Sequence, residues 1–142
     1  MKIHLITVGA PKLDYAKRGW AEYLKRLSHY HQMRVTHIPD KHNNTAHLLQ
    51  VSAGSHLVAL TINGPQYSSH QLADYLHRLA IQAVEVSFII GGPDGLTSEF
   101  IDQSDQQLGL SKLTFPHDLA MVILAESLYR ASSISAGQPY HR

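Results

Sequence analysis

Strands rich in β-branched residues alternate with amphipathic helices along the whole of this 142-residue chain, and no other feature narrows its fold as much. Parallel strands need crossover connections that lay helices on the sheet faces, so such alternation predicts an α/β architecture with a mostly parallel sheet. Residues 84–90 form the centre of that reading: a nearly continuous apolar run suits a strand covered on both faces. Residues 3–8, 33–38, 56–62 and 108–115 read as further strands, giving a sheet of five or six with helices on both sides. Between them, Ala16, Trp20, Tyr23, Leu24 and Leu27 fall on one face of a helix capped by Asp14. Thr45 is expected to cap a short helix that Gly54 ends, Ser69 a longer one with Leu72, Leu76, Leu79 and Ala80 on its apolar face, and Thr97 a short one to Asp102. The last helix, 119–133, is apolar enough over residues 119–125 to be largely buried.

The length bounds the chain to a single domain spanning 1–142, with no repeat or linker. It contains no cysteine, which removes disulfides, zinc ribbons, iron–sulfur clusters and thiol nucleophiles. Eleven histidines remain as candidate chemistry. None forms an HExxH pair, and His29 with His31 would suit a metal only with a third ligand, so no metal site is expected and most imidazoles read as solvated surface groups. No apolar run approaches the roughly 18 residues of a membrane span, and the N-terminus lacks a signal-peptide pattern, so a soluble cytoplasmic protein is expected. The net charge of +1 conceals a division. Residues 1–41 carry eight Lys or Arg against three acids, whereas residues 42–142 carry four against eight, leaving a basic N-terminal part suited to a polyanion. Asp14 with Arg18 and Glu22 with Arg26 are spaced for helix-stabilising pairs, the alternative use of that charge.

Ligands of parallel sheets bind beyond the carboxyl ends of the strands, which directs attention to the loops after Leu60, Ile90 and Leu110. The cluster Gly91-Gly92-Pro93-Asp94-Gly95-Leu96 is neither a Walker A loop nor GxGxxG, which excludes the usual phosphate cradle and dinucleotide site. Two readings stay open: a tight turn with a glycine at positive φ, or close backbone approach to a flat ligand such as adenine. Leu110, Ser111, Lys112, Leu113, Thr114 and Phe115 could add main-chain donors and acceptors, making with Leu60 an apolar slot rimmed by hydrogen bonds. Tyr140-His141-Arg142, taken alone, reads as a frayed terminus. Docked, it would offer a proton-exchanging imidazole and a phosphate-gripping guanidinium.

Four ordered segments carry a family resemblance: Ile89-Ile90-Gly91-Gly92-Pro93-Asp94-Gly95-Leu96, Leu110-Ser111-Lys112-Leu113-Thr114-Phe115-Pro116-His117, Ala125-Glu126-Ser127-Leu128-Tyr129-Arg130-Ala131 and Pro139-Tyr140-His141-Arg142. With the opening Met1-Lys2-Ile3, and with Glu22-Tyr23 and Arg26-Leu27 in the first helix, they resemble the bacterial RlmH family over essentially the whole chain. The resemblance implies a SPOUT-type domain with a C-terminal trefoil knot, working as a homodimer. It implies an S-adenosyl-L-methionine-dependent methyltransferase acting on N3 of a pseudouridine in 23S ribosomal RNA, within the ribosome. By motif match, Leu60, Gly91 and Leu110, Ser111, Lys112, Leu113, Thr114 and Phe115 would bind the cofactor, and Tyr140, His141 and Arg142 would close over cofactor and target base. The chain departs from the family pattern at Met121, where an arginine is usual, and in a shorter segment between the second strand and the short helix.

A sulfonium already activates the methyl group, so the protein must align the nucleophile and let the N3 proton leave. His141 is the expected acceptor or relay of that proton, with Tyr140 and Arg142 orienting the tail and the RNA backbone. His117, after Pro116 at a helix start, is expected to be structural. Two other classes remain compatible with the sequence. Met121 motivates an impaired module of the same fold that binds ribosome or cofactor without turnover. Alternation alone would allow a flavodoxin-like nucleotide-binding module without affinity for S-adenosylmethionine.

Overall fold

Lys2–Val8, the first strand (β1), sits where its near-total burial requires, with a parallel neighbour on either side. A computed structural model describes residues 1–82 and 84–141. In it, β2 (Gln32–Ile38), β3 (His56–Leu60), β4 (Val86–Ile90) and β5 (Gln106–Leu108) complete a five-stranded, all-parallel sheet in the order β2-β1-β4-β3-β5. Every residue of β4 is buried, as its apolar run predicts, although the strand begins at Val86 rather than at residue 84. The expected strand over 108–115 is corrected. Pairing with β3 stops at Leu108, whose carbonyl accepts Thr61 N–H, and Gly109 N–H then turns to Pro65. Because the chain leaves β3 through the Asn63-Gly64-Pro65 turn, the apolar residues after Leu108 have no strand to pair with and become a loop.

The pleat divides each strand between two cores. Ile3, Leu5, Val58, Phe88 and Ile90 pack in one cluster with residues of α1 (Asp14–Leu27), α3 (Ser69–Ile81) and α5 (His117–Ser135). Ile6, Val8, Leu57, Ala59 and Ile89 pack in the other, with Leu48 of α2 (Thr45–Val51) and Phe100 of α4 (Ser98–Asp102). Helices therefore cover both faces, and α5 lies against both α1 and α3, which accounts for its run of apolar residues.

Helix starts fall one residue from several expected positions. Asn44, not Thr45, caps α2 by accepting His47 N–H at 2.9 Å, and Ser68, not Ser69, caps α3 in a reciprocal capping box with Gln71. Thr97 caps α4 as expected. Asp14 is the first helical residue of α1, whose N-cap Leu13 offers no side-chain bond. α2 ends at Val51 with Ser52 as its C-cap, so Gly54, at φ +77°, lies beyond the helix end. The Glu22–Arg26 pair forms at 3.1 Å, whereas Asp14 and Arg18 make no ion pair among the described residues.

The histidines are less exposed than the sequence implies. His4 is 1 % exposed, and its Nε2 pairs with Thr36 Oγ1 at 2.7 Å. His31 pairs with Ser132 Oγ at 2.7 Å and His37 with Thr7 Oγ1 at 2.6 Å. Partnering a hydroxyl satisfies one ring nitrogen without a counter-charge, so burial disfavours protonation. His4 falls to about 4, through burial and then Arg34, and His31 to about 4, through burial and then the N-terminal amine. Because these folded values lie below that of the unfolded chain, acid protonates the unfolded state first. Stability is full above pH 6.5 and declines toward pH 4, by about 1.4 kcal/mol per pH unit for each histidine. Urea unfolding across this interval should show that slope, and His31→Gln should reduce it; a flat midpoint would contradict the burial of neutral imidazoles.

Candidate active site

The carboxyl ends of β3, β4 and β5 bring Leu60, Ile90 and Leu108 to the wall of one cavity of about 530 Å³, within the usual range for small-molecule sites. Of the eight residues expected to bind a cofactor, Leu60, Gly91, Leu110, Ser111, Leu113, Thr114 and Phe115 line it, and Lys112 does not. Lys112 is exposed. The backbone N–H groups of Leu110, Ser111, Thr114 and Phe115 find no acceptor among the described residues. A segment with apolar side chains and unspent main-chain donors fits a flat heteroaromatic ligand whose edge accepts hydrogen bonds. Ile62 and Leu113, 62 % and 72 % exposed, border the same cavity.

The glycine cluster forms the tight turn that the first reading expects. Gly95 N–H donates to Gly92 O at 2.9 Å across a turn, with Gly95 at φ +74°, a left-handed conformation costly for residues with a Cβ. Gly91 is needed for a different reason. A Cβ there would lie 2.5 Å from the Gly95 carbonyl carbon and 2.8 Å from Leu96 N, so the turn folds back on its own entry beside the cavity.

His117, expected to be structural, lines the cavity. Its Nδ1 lies 3.6 Å from Asp118 Oδ1, and its Nε2 is buried with no partner. Asp118, not singled out in the sequence, accepts the backbone N–H groups of Lys12 and Leu13 at 2.9 and 2.7 Å. Burial alone would raise its pKa, but these donors and His117 hold it below the ordinary carboxylate value. One carboxylate thereby ties the loop after β1 to the start of α5. That role was hidden because its partners lie more than a hundred residues away.

Of the two readings of the tail, the docked one holds for Tyr140 and His141. Tyr140 donates to Glu126 at 3.1 Å and lies 3.2 Å from the Tyr23 hydroxyl; its ring meets Tyr129 edge-on at 4.7 Å. Burial, followed by the bonds to Tyr23 and Glu126, pushes the Tyr140 hydroxyl well above its ordinary pKa. Arg130 pairs with Glu126, stands 4.9 Å over the Tyr140 ring and reaches His141 Nδ1 at 3.3 Å. His141 also meets His70, edge to face, at 5.2 Å. Arg142 lies outside the described residues. Among the described residues, Tyr140 and His141 do not line the cavity. Arg130 stands ten residues beyond Ala120, the last cavity residue on α5, a separation of about 15 Å by helical rise.

Met121 is fully buried in the core shared by α1, α3 and α5, so in this chain the position faces the protein interior. The glycine geometry makes its own prediction. Gly91→Ala should cost about 1–3 kcal/mol, because the added carbon meets backbone rather than a yielding side chain. Gly92→Ala, whose Cβ would meet nothing nearer than Val8 Cγ1 at 3.3 Å, should cost less. Urea denaturation of the two variants reads the difference, and equal losses would contradict the close approach.

Comparison with known proteins agrees with this architecture. A family model described as "Predicted SPOUT methyltransferase" matches residues 1–141. Proteins named ribosomal RNA large subunit methyltransferase H are similar over their full lengths. That of Deinococcus deserti is 50 % identical, covering 100 % of both chains. That of Deinococcus radiodurans is 47 % identical, covering 100 % of this chain and 99 % of the other. Among solved structures, a probable methyltransferase from Bordetella pertussis Tohama I superposes with a TM-score of 0.61 at 15 % identity, covering 92 % of this chain and 93 % of that one. TrmJ from Z. mobilis ZM4 gives 0.56 at 13 %, covering 92 % and 70 %; these two likenesses speak to fold alone. Matched by the family model along nearly its entire length and by half-identical relatives end to end, the chain belongs to the SPOUT methyltransferase family, in the ribosomal RNA large subunit methyltransferase H group.

Proposed function

We propose that this protein transfers a methyl group from S-adenosylmethionine to N3 of a pseudouridine in 23S ribosomal RNA, acting on the ribosome as a cytoplasmic homodimer. The observation that carries the proposal is the cavity at the carboxyl ends of β3, β4 and β5, with unspent backbone donors in residues 110–115, in a chain half-identical to a protein named for ribosomal RNA methylation. When bound, the cofactor supplies a methyl group already activated by its sulfonium. Leu60, Gly91, Leu110, Leu113 and Phe115 would hold the cofactor in an apolar slot, with Ser111 and Thr114 contributing main-chain polarity. Lys112, exposed and outside the cavity lining, meets RNA phosphate instead. Tyr140, His141 and Arg142 position the target base.

The distance between cavity and tail supports a dimer in which the tail of one protomer serves the slot of the other. The C-terminal trefoil knot belongs to the same reading. Its support is the tight packing of successive loops, since a Cβ at Gly109 would lie 2.5 Å from the Gly64 carbonyl oxygen. The basic residues of 1–41 lie on β1, the loop after it, α1, β2 and the turn after β2, at one side of the sheet. Of these eight, Arg26 and Arg34 are engaged in ion pairs, to Glu22 and Glu85. The others are available for phosphate, with affinity that weakens as salt rises.

Incubation with S-adenosylmethionine and ribosomes lacking the modification, followed by mass mapping of the 23S RNA, should place one added methyl on a pseudouridine. Gly91→Ala should weaken cofactor binding by calorimetry at least tenfold. Tight cofactor binding without methyl transfer would favour a non-catalytic ribosome-binding module, and absence of cofactor binding would overturn the proposal.

A further inference from the structure

We infer that His141 acts on the target base as a hydrogen-bond donor through Nε2, not as the acceptor of the N3 proton, with Arg130 and His70 as the positioning residues that set its tautomer and orientation. This rests on the proposed role of the tail in methyl transfer. Arg130 Nη1 lies 3.3 Å from His141 Nδ1. A guanidinium has donors and no acceptor, so Nδ1 accepts from Arg130 and cannot carry hydrogen. A neutral imidazole has one donor nitrogen and one acceptor nitrogen. With the acceptor spent on Arg130, Nε2 carries the proton and has no lone pair for another.

Neighbouring groups hold this arrangement in place. Glu126 accepts from Arg130 and from the Tyr140 hydroxyl, and the Arg130 guanidinium lies over the Tyr140 ring. His70, in the first turn of α3, closes on the His141 ring edge to face at 5.2 Å and 87°. The site is thus built from α5, α3 and the tail, and the ring nitrogen not bonded to Arg130 is an N–H.

An N–H donor has a defined use in this reaction. N3 of the base is flanked by two carbonyl groups. As the N3–H bond breaks and its proton passes to water, negative charge spreads onto their oxygens. The nitrogen electron pair then forms the new N–C bond, and the S–C electrons stay with sulfur, leaving neutral S-adenosylhomocysteine. A donor 2.7–3.1 Å from one carbonyl oxygen stabilises that developing charge more than it stabilises the neutral base.

Substitution separates donor from base, because a glutamine side chain places an amide N–H near the position of Nε2 and cannot take a proton. In single turnover with saturating cofactor, His141→Ala should lose about 100-fold. His141→Gln should recover at least tenfold over the alanine variant while staying below wild type. Glutamine as slow as alanine would overturn the donor role. Independently of turnover, long-range ¹H–¹⁵N spectra of the full chain labelled at histidine, with the His141 signals identified by their loss in His141→Gln, should show the Nε2–H tautomer. Arg130→Met should shift it toward a mixture, and His70→Ala should broaden its signals with the fold unchanged. An Nδ1–H tautomer in the wild-type protein would overturn the inference. Wild-type protein that transfers no methyl would refute the functional reading, and the spectra would still decide the tautomer.

Discussion

A single rigid helix governs what the rest of the molecule can do. α5 runs for 19 residues, about 28 Å, packed against both α1 and α3. Its first turn, through His117 and Ala120, walls the cavity at the strand ends. Its later turns, through Glu126, Tyr129 and Arg130, clasp the tail. Burial of Met121, Leu124, Ala125, Leu128 and Ala131 along the same helix makes bending it costly, since each large apolar side chain returned to water forfeits about 1.5–3 kcal/mol. The slot and the described part of the tail are therefore held apart along α5, and this separation is the basis for the proposed dimer.

The slot depends on backbone more than on side chains. The turn at Gly91–Gly95 folds onto its own entry, Gly109 lies against Gly64, and the segment from Leu110 to Phe115 leaves main-chain donors free. Such a site is stiff because its walls are closely packed loops anchored at the ends of three neighbouring parallel strands. Methyl transfer from an activated donor asks chiefly for alignment, which stiffness provides. Asp118 extends the same logic, fixing the loop after β1 against the start of α5.

Much of this was legible in the chain itself. The apolar run into Gly91 identified the most buried strand and the loop that carries the cavity, because burial on both faces leaves few polar residues to misplace. Residues 108–115 misled because apolar content marks burial without naming a partner, and β3 turns away at Leu60. His4 was missed because the pleat, not composition, decides which residues of a buried strand face a second core. Lys112 shares a loop with cavity residues but does not line the cavity, a distinction that adjacency in sequence does not encode. The role of Asp118 rests on contacts over a hundred residues apart, and docking of the tail on the meeting of Tyr23, Glu126 and Tyr129 from two helices. Those meetings exist only once the fold is complete.

Division of the site between two protomers has one direct test. A Gly91→Val protein, impaired in the slot, and a His141→Ala protein, impaired in the tail, should each be slow in methyl transfer to ribosomes. Unfolded together and refolded as mixed dimers, they should regain activity, because a mixed dimer holds one intact slot facing one intact tail. Random pairing gives about half mixed dimers with one working site each, so roughly a quarter of wild-type activity is expected. A refolded mixture no more active than the two variants measured separately would contradict a site shared across the dimer.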